Sequence, residues 1–227
     1  MSEAKIPKYE EAKQAYLIEN YELAFSIWQD LAKEGDSDAM AWIGSMYANG
    51  EGTTLDLNEA LYWYEKAAND NNAMAQANVG VMYYLGQGTE KSLEHAIKWL
   101  TAAADNNDNN GLFNLAVLYS KGEGVDKDEN KAASLYQKAA ENGHYPSQSR
   151  LGYMYAHGQG VKKDRVLAYL WLTLAAQHGI GTALNALESV VNCMSSEEKA
   201  MGMNLYEQWR KKTGSSEHQV AMQPVPT

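Results

Sequence analysis

The sequence contains four Gly-x-Gly pairs. This spacing could serve a functional site, because a glycine-rich loop can wrap the phosphates of a nucleotide. One pair lies in SKGEGVDKDENKAA, where Gly122 and Gly124 precede a helix-like stretch. A phosphate-binding loop, however, follows a strand and occurs once. Here each pair follows a helical pattern, and the pairs recur every 36 residues, at Gly50/Gly52, Gly86/Gly88, Gly122/Gly124 and Gly158/Gly160. They are interpreted as turns that need positive φ.

The other reactive side chains form no catalytic or metal-binding pattern. The five histidines contain no H-E-x-x-H pair and no spacing that places two ligands on one helix face. His144 and His178 lie beside predicted helix C-termini, where a cation suits the helix dipole. Cys193 is predicted to be a packed thiol. The carboxylates of residues 123–129 lack calcium-loop spacing. The sequence therefore predicts no enzyme, metal or cofactor.

Composition restricts the partners and the compartment. The chain of 227 residues carries 19 Lys and Arg against 29 Asp and Glu, a net charge of −10. This disfavours nucleic-acid binding, which needs clustered cations, and adsorption to anionic membranes. The single cysteine can form no intrachain disulfide, and no apolar run resembles a signal segment or a membrane span. We expect a cytoplasmic protein without membrane insertion; its oligomeric state and a removed leader remain open.

The 36-residue period extends well beyond the glycines, which is the signature of a repeat protein. Each copy reads as two helices with apolar stripes. Gly44 and its equivalents Gly80 and Gly152 are expected to let a neighbouring helix approach closely. A residue suited to a left-handed C-cap closes each copy, at Gly35, Asn71, Asn107, Gly143 and Gly179.

These columns resemble the Sel1-like repeat, a relative of the tetratricopeptide repeat, most closely in SRLGYMYAHGQGVKKDRVLAYLWLTLAAQHG. The resemblance implies an all-α, right-handed solenoid of helix-turn-helix units with a C-terminal capping helix. The chain then divides into a tetratricopeptide-like helix pair at 5–35, repeats at 37–72, 73–108, 109–144 and 145–180, capping helices at 181–212 and a disordered tail at 213–227. A cysteine-rich branch of the family staples each repeat with a disulfide, so this chain is excluded from it.

The resemblance also implies a non-enzymatic scaffold that binds a peptide or helix of another protein in its concave groove. The first helices of the repeats line that face in solenoids. The predicted partner-binding residues are the non-repeating side chains there: Trp42, Met74, Asn78, Val81, Tyr84, Phe113, Asn114, Val117, Arg150 and Tyr153. Trp42 is predicted to lie outside the repeating positions that pack the helices together. Asn78, Asn114 and Arg150 occupy a column that holds a peptide terminus in carboxylate-clamp domains, although the clamp's lysines are missing. The net charge favours a basic partner.

Other interpretations remain open from the sequence. An immunity or antitoxin-like protein that masks one toxin would have the same fold and differ only in its partner. An enzyme or small-molecule binder would need reactive groups that converge inside the superhelix. The predicted groove residues could also fill a narrow superhelix, and binding could occur on the convex face.

Overall fold

The computed structural model describes residues 5–214, which contain twelve α-helices and no strand. Helices α1 to α10 are each 13 residues long, so one 36-residue copy consists of two equal helices and two turns. The helices are α1 (Lys5–Leu17), α2 (Tyr21–Lys33), α3 (Ser37–Asn49), α4 (Leu57–Asn69), α5 (Ala73–Leu85), α6 (Leu93–Asp105), α7 (Asn109–Lys121), α8 (Glu129–Glu141), α9 (Tyr145–His157), α10 (Arg165–Gln177), α11 (Gly181–Asn192) and α12 (Ser196–Thr213). Most of the predicted tail lies outside the described residues.

Side-chain caps and left-handed residues set the helix boundaries. Eight of the described helices before α12 begin after an Asp, Asn or Ser whose side chain accepts a hydrogen bond from the first turn: Asn20, Asp36, Asp56, Asn72, Ser92, Asp108, Asp128 and Asp164. Ser195 and Glu198 form a capping box before α12. The five residues predicted to close the copies all have positive φ, between 58° and 87°. Gly122 has a φ of 73° and Gly124 a φ of 72°. The interpretation of the glycines as turns is confirmed.

The second glycine of a pair also needs space. A Cβ atom on Gly160, whose φ is 61°, would overlap the carbonyl oxygen of Glu129 at the start of α8. Gly160 therefore places the loop after α9 directly against the backbone of α8. Any side chain there would force the two segments apart.

Residues 5–111 belong to the first of two compact units. Helices α1 to α6 pack in chain order, each on the next. A Cβ atom on Gly44 would lie 2.8 Å from the ring of Tyr64, and one on Gly80 would lie 2.6 Å from Leu100 Cγ. The expected close approach of the paired helices at these glycines is confirmed. Trp28, Ile43, Met46 and Val79 are fully buried in this core, at 0% exposure.

The second unit begins at Leu112 and is described to residue 214. Within it α9 packs on α8 and α10, and α10 contacts both α11 and α12. The ring of Trp209 meets that of Trp171 edge-on at 4.8 Å, which fixes α12 on α10. Cys193 is exposed, so the prediction of a packed thiol is wrong. This residue is the C-cap of α11 and has left the apolar stripe of that helix.

Candidate binding site

A pocket of about 140 Å³ opens in the second unit between α7, α8 and α9. Its lining residues are Val117, Ser120, Lys121, Glu129, Tyr136, Arg150, Tyr153, Met154 and Gln159. Three residues predicted to bind a partner, Val117, Arg150 and Tyr153, thus surround one opening. Lys121, Glu129, Tyr136, Met154 and Gln159 were not predicted from the sequence.

Arg150 and Tyr153 are the exposed side chains of α9 at this opening. Arg150 makes no hydrogen bond or ion pair with any other residue of the described range 5–214, so its guanidinium donors face solvent. Tyr153 is 42% exposed. Its ring stacks on His157 with centroids 4.0 Å apart, and His157 Nδ1 lies 2.8 Å from the carbonyl oxygen of Tyr153. One face of the ring is therefore held in place while the side chain stays accessible.

Tyr136 and Glu129 add polar groups from α8. Tyr136 is 3% exposed, and burial raises the pKa of its hydroxyl to about 12; the charge of Arg150 opposes this shift and that of Glu129 adds to it. The hydroxyl stays protonated at neutral pH and can donate a hydrogen bond. Glu129 is paired with Lys127 at 2.9 Å. The pocket combines a cation, a carboxylate and a neutral donor with the apolar walls of Val117 and Met154.

The other predicted residues of the second unit are less accessible. The Phe113 ring meets the rings of Tyr136 and His144 edge-on, with centroids 5.5 Å and 5.4 Å away. Phe113 and Asn114 are both half-buried. Phe113 therefore packs beside the pocket wall, and its role in binding a partner stays a prediction.

In the first unit, Trp42 is buried at 3% exposure, so the prediction that it stands off the packing positions is wrong. Its indole stacks on that of Trp28, and the ring of Tyr16 meets it edge-on at 5.0 Å. The N-terminal helix pair supplies both of these covering rings. Asn78 is also buried, at 7% exposure, which corrects its expected place on an open groove surface.

Met74, Val81 and Tyr84 complete the predicted set in the first unit. All three are half-buried, and Met74 packs against the core. Lys91 Nζ lies 5.0 Å from the centroid of the Tyr84 ring, a cation–π arrangement. These side chains leave only part of their surface to a partner, and their binding role stays a prediction.

His144 differs from the expectation of a cation at a helix C-terminus. It is the N-cap of α9, and its Nδ1 lies 2.8 Å from Ser147 Oγ. Burial lowers the pKa of His144 to about 4, so the imidazole is neutral at pH 7. His178 is the C-cap of α10, and its ring stacks on that of Tyr145 at 3.5 Å.

Two kinds of feature are absent from residues 5–214. Between residues 5 and 214 no three His, Cys, Asp or Glu side chains are grouped so that they could hold a metal ion. No helix in that range has both the length and the apolar character needed to cross a membrane.

A known protein family matches this chain over the same four repeats that its sequence predicts. The Sel1 repeat family matches residues 37–72, 73–108, 110–144 and 146–180, more than half of the sequence. The chain belongs to the Sel1 repeat family. Its all-α repeat fold is the one predicted. No curated protein sequence matches it.

Solved structures of Sel1 repeat proteins superpose on this one. The protective antigen c5321 of uropathogenic Escherichia coli has a TM-score of 0.76 at 27% identity, over 90% of this chain and 46% of that chain. A Sel1 repeat protein from Oxalobacter formigenes has a TM-score of 0.70 at 32% identity, over 75% and 49%. This chain thus spans about half the length of these two proteins. The immunity protein Pa5087 of Pseudomonas aeruginosa, at 18% identity and a TM-score of 0.61 over 99% and 91%, shares the fold.

Equivalent Sel1 repeats differ in the residue that faces the repeated tyrosine position at this pocket. Tyr64 in the first full repeat corresponds to Tyr136 two repeats later, and Ser45 corresponds to Val117. The Ser45 side chain interacts with the Tyr64 hydroxyl and opposes the burial that raises the pKa of Tyr64. Val117 has no hydroxyl to offer the phenol of Tyr136, which lines the pocket beside Arg150. The signal in the sequence was this Ser-to-Val exchange opposite a repeated tyrosine.

Proposed function

We propose that this Sel1 repeat protein is a non-enzymatic scaffold that binds a segment of a partner protein at the pocket between α7, α8 and α9. The Sel1 repeat fold commonly serves protein interaction. The observation that carries the proposal is the placement of an unpaired arginine, Arg150, beside an exposed aromatic ring, Tyr153, at the mouth of one pocket. Arginine and tyrosine are the residue types that most often dominate binding energy at interfaces.

Each side chain has a separate task in this proposal. The guanidinium of Arg150 pairs with a carboxylate of the bound segment, or donates to a backbone carbonyl where no carboxylate is present. The open part of the Tyr153 ring packs on an apolar or aromatic side chain. The Tyr136 hydroxyl donates a hydrogen bond from the floor of the pocket. No nucleophile with an adjacent base enters this arrangement, and the proposal assigns no reaction to it.

Selection of binding peptides tests the proposal without a known partner. A phage-displayed library of random peptides is selected on the wild-type protein, and the enriched peptides are synthesised. Their Kd values are then measured for wild type, Arg150→Gln and Tyr153→Ala. We expect each substitution to weaken binding by about tenfold or more. Peptides that end in a carboxylate, compared with their amides, show whether Arg150 binds that group.

Two surface variants serve as controls for this selection. Tyr62→Ala removes an aromatic side chain that is 50% exposed on α4 of the first unit, and Arg210→Gln removes an exposed cation from α12. Both should bind the selected peptides as wild type does. If the pocket variants retain full affinity, the proposed site is wrong.

A protein partner would distinguish the scaffold from the immunity-like alternative. A scaffold is expected to bind short segments with moderate affinity. One-to-one masking of a single folded toxin, with a Kd below about 1 nM, would favour the alternative. The likeness to Pa5087 concerns the fold and does not choose between these two outcomes.

A further inference from the structure

The net negative charge of the chain is confined to its first part. Residues 1–111 contain 7 Lys and Arg and 18 Asp and Glu, a net charge of −11. Residues 112–227 contain 12 and 11, a net charge of +1. A cationic partner is therefore attracted to the first unit, whereas the pocket proposed above belongs to the second.

An exposed aliphatic patch lies at one end of that first unit. Leu17, Ile18 and Leu23 flank the tight turn between α1 and α2 and are 53%, 72% and 42% exposed. Single exposed apolar residues are ordinary on protein surfaces. Three aliphatic side chains within seven residues of one turn form a cluster, which is more typical of an interaction site.

The loop between α3 and α4 lies against residues on both sides of this turn. The Tyr16 hydroxyl donates a 2.8 Å hydrogen bond to Glu51 in that loop. A Cβ atom on Gly52 would overlap the carbonyl oxygen of Tyr21, so the loop backbone rests on the start of α2. Leu55, in the same loop, is 62% exposed. Position 55 is occupied by lysine in the three later repeats, at Lys91, Lys127 and Lys163.

Carboxylates flank the patch along the chain, and no lysine or arginine lies within it. Glu19 and Glu22 are exposed beside the leucines, and Glu59 is exposed in the first turn of α4. Within the described residues none of these three carboxylates forms an ion pair. No lysine or arginine occurs in residues 14–32 or 34–65. The patch is thus an aliphatic centre with an acidic rim.

The backbone of the turn favours a helical occupant over an extended one. The amides of Ile18, Glu19 and Asn20 donate to the carbonyl oxygens of Gln14, Tyr16 and Ala15 at 3.1, 3.0 and 2.8 Å. These bonds leave no open strand edge to which an extended peptide could add. A helix satisfies its own backbone and can present an apolar stripe flanked by lysines. We propose that Leu17, Ile18, Leu23 and Leu55, with their acidic rim, bind a basic amphipathic helix of a partner protein.

A synthetic helix tests this second surface. The probe is a fluorescein-labelled 18-residue peptide of leucine and lysine with one apolar face. A shuffled peptide of the same composition, which has no apolar face, is its control. Fluorescence anisotropy at several salt concentrations should show binding about tenfold tighter for the amphipathic peptide, weakening as salt rises. Equal binding of the two peptides would mean attraction by charge alone and would overturn the proposal.

Paired variants locate the peptide on the protein. Leu17→Ser with Ile18→Ser, and separately Glu19→Lys with Glu22→Lys, should each weaken binding by about tenfold. The matched controls are Leu85→Ser, at a residue that is 54% exposed, and Glu90→Lys with Glu94→Lys, which makes the same charge change on the same unit. Controls that lose as much affinity as the patch variants would place the peptide elsewhere and overturn the proposal.

Two further readouts separate this proposal from its competitors. Arg150→Gln and Tyr153→Ala should leave binding of the helical probe unchanged, so either proposal can fail without the other. Analytical ultracentrifugation should show no change of mass in the Leu17→Ser, Ile18→Ser variant. A wild-type dimer that this variant dissociates would mean that a second copy covers the patch, against the proposal.

Discussion

The indole rings of Trp28 and Trp42 stack with their centroids 5.5 Å apart and their planes within 1° of parallel. Trp28 belongs to α2 in the N-terminal helix pair, and Trp42 belongs to α3 in the first matched repeat. Both rings are almost completely buried, at 0% and 3% exposure. The stack therefore joins the helix pair to the repeats within the first unit.

Replacement of Trp42 by alanine should destabilise the fold without affecting the pocket. Loss of a buried tryptophan leaves a cavity beside Trp28 and Tyr16, and we expect a cost of about 3 to 5 kcal/mol in the free energy of unfolding. Urea unfolding followed by circular dichroism measures it, with Tyr62→Ala expected to cost about 1 kcal/mol or less. A stable Trp42→Ala variant that loses partner binding would restore Trp42 as a binding residue.

Gly160 and Gly179 provide a matched test of the turns. Both have positive φ, 61° and 81°, but a Cβ atom at Gly179 would meet nothing within 4 Å, whereas one at Gly160 would overlap the Glu129 carbonyl. Gly179→Ala should cost only the left-handed backbone strain, about 1 to 2 kcal/mol. Gly160→Ala should cost clearly more, because the loop must also move off α8. Equal melting temperatures for the two variants would show that contact with α8 contributes nothing.

His144 should make the stability depend on pH. Its folded-state pKa is lowered by burial to about 4, below the usual 6.5, so the unfolded chain binds the proton first as the pH falls. The stability associated with His144 is present above about pH 6.5 and is lost as the pH falls towards 4. Once His144 is protonated in both states, the difference between the two pKa values corresponds to a loss of about 3 kcal/mol in the free energy of unfolding.

The variant His144→Asn isolates this contribution. The equivalent N-cap of α5 is Asn72, whose side chain accepts a hydrogen bond from the amide of Ala75. Asparagine at 144 should gain such a bond to the Ser147 amide and stabilise α9 by about 0.5 to 2 kcal/mol at pH 7. The wild-type protein should lose stability relative to this variant between pH 6.5 and 4. A difference that stays constant over that range would show that His144 is not held neutral by the fold.

The repeat period made the helices and their ends predictable, because local geometry recurs in every copy. Gly122 and Asn71 could be assigned left-handed conformations, since the backbone there repeats with the sequence. The burial of Trp42 could not be predicted, because its covering rings come from an N-terminal pair that has no counterpart in the later copies. Cys193 was misplaced for a similar reason, since α11 ends one residue before it and has no repeat equivalent that fixes its boundary.

The candidate pocket was predictable only in part. Val117, Arg150 and Tyr153 could be identified because they do not repeat, which separates them from the packing positions. Tyr136 was not predicted, since it occupies the same repeat position as Tyr64 and is buried as Tyr64 is. The Tyr136 hydroxyl also faces a pocket, whose opposite wall includes Val117 on the neighbouring helix. A sequence period reports which side chains are equivalent, whereas the residue that faces each of them appears only in three dimensions.

Site-specific photo-crosslinking in the native cells tests the central claim most directly. Benzoylphenylalanine replaces Tyr153 at the pocket mouth or, as a control, Tyr62 on α4, and mass spectrometry identifies the crosslinked proteins. We predict that position 153 captures a protein that position 62 does not, and that Arg150→Gln abolishes this capture. Identical crosslinks from both positions, or capture at 153 that does not depend on Arg150, would contradict a partner-binding site at this pocket.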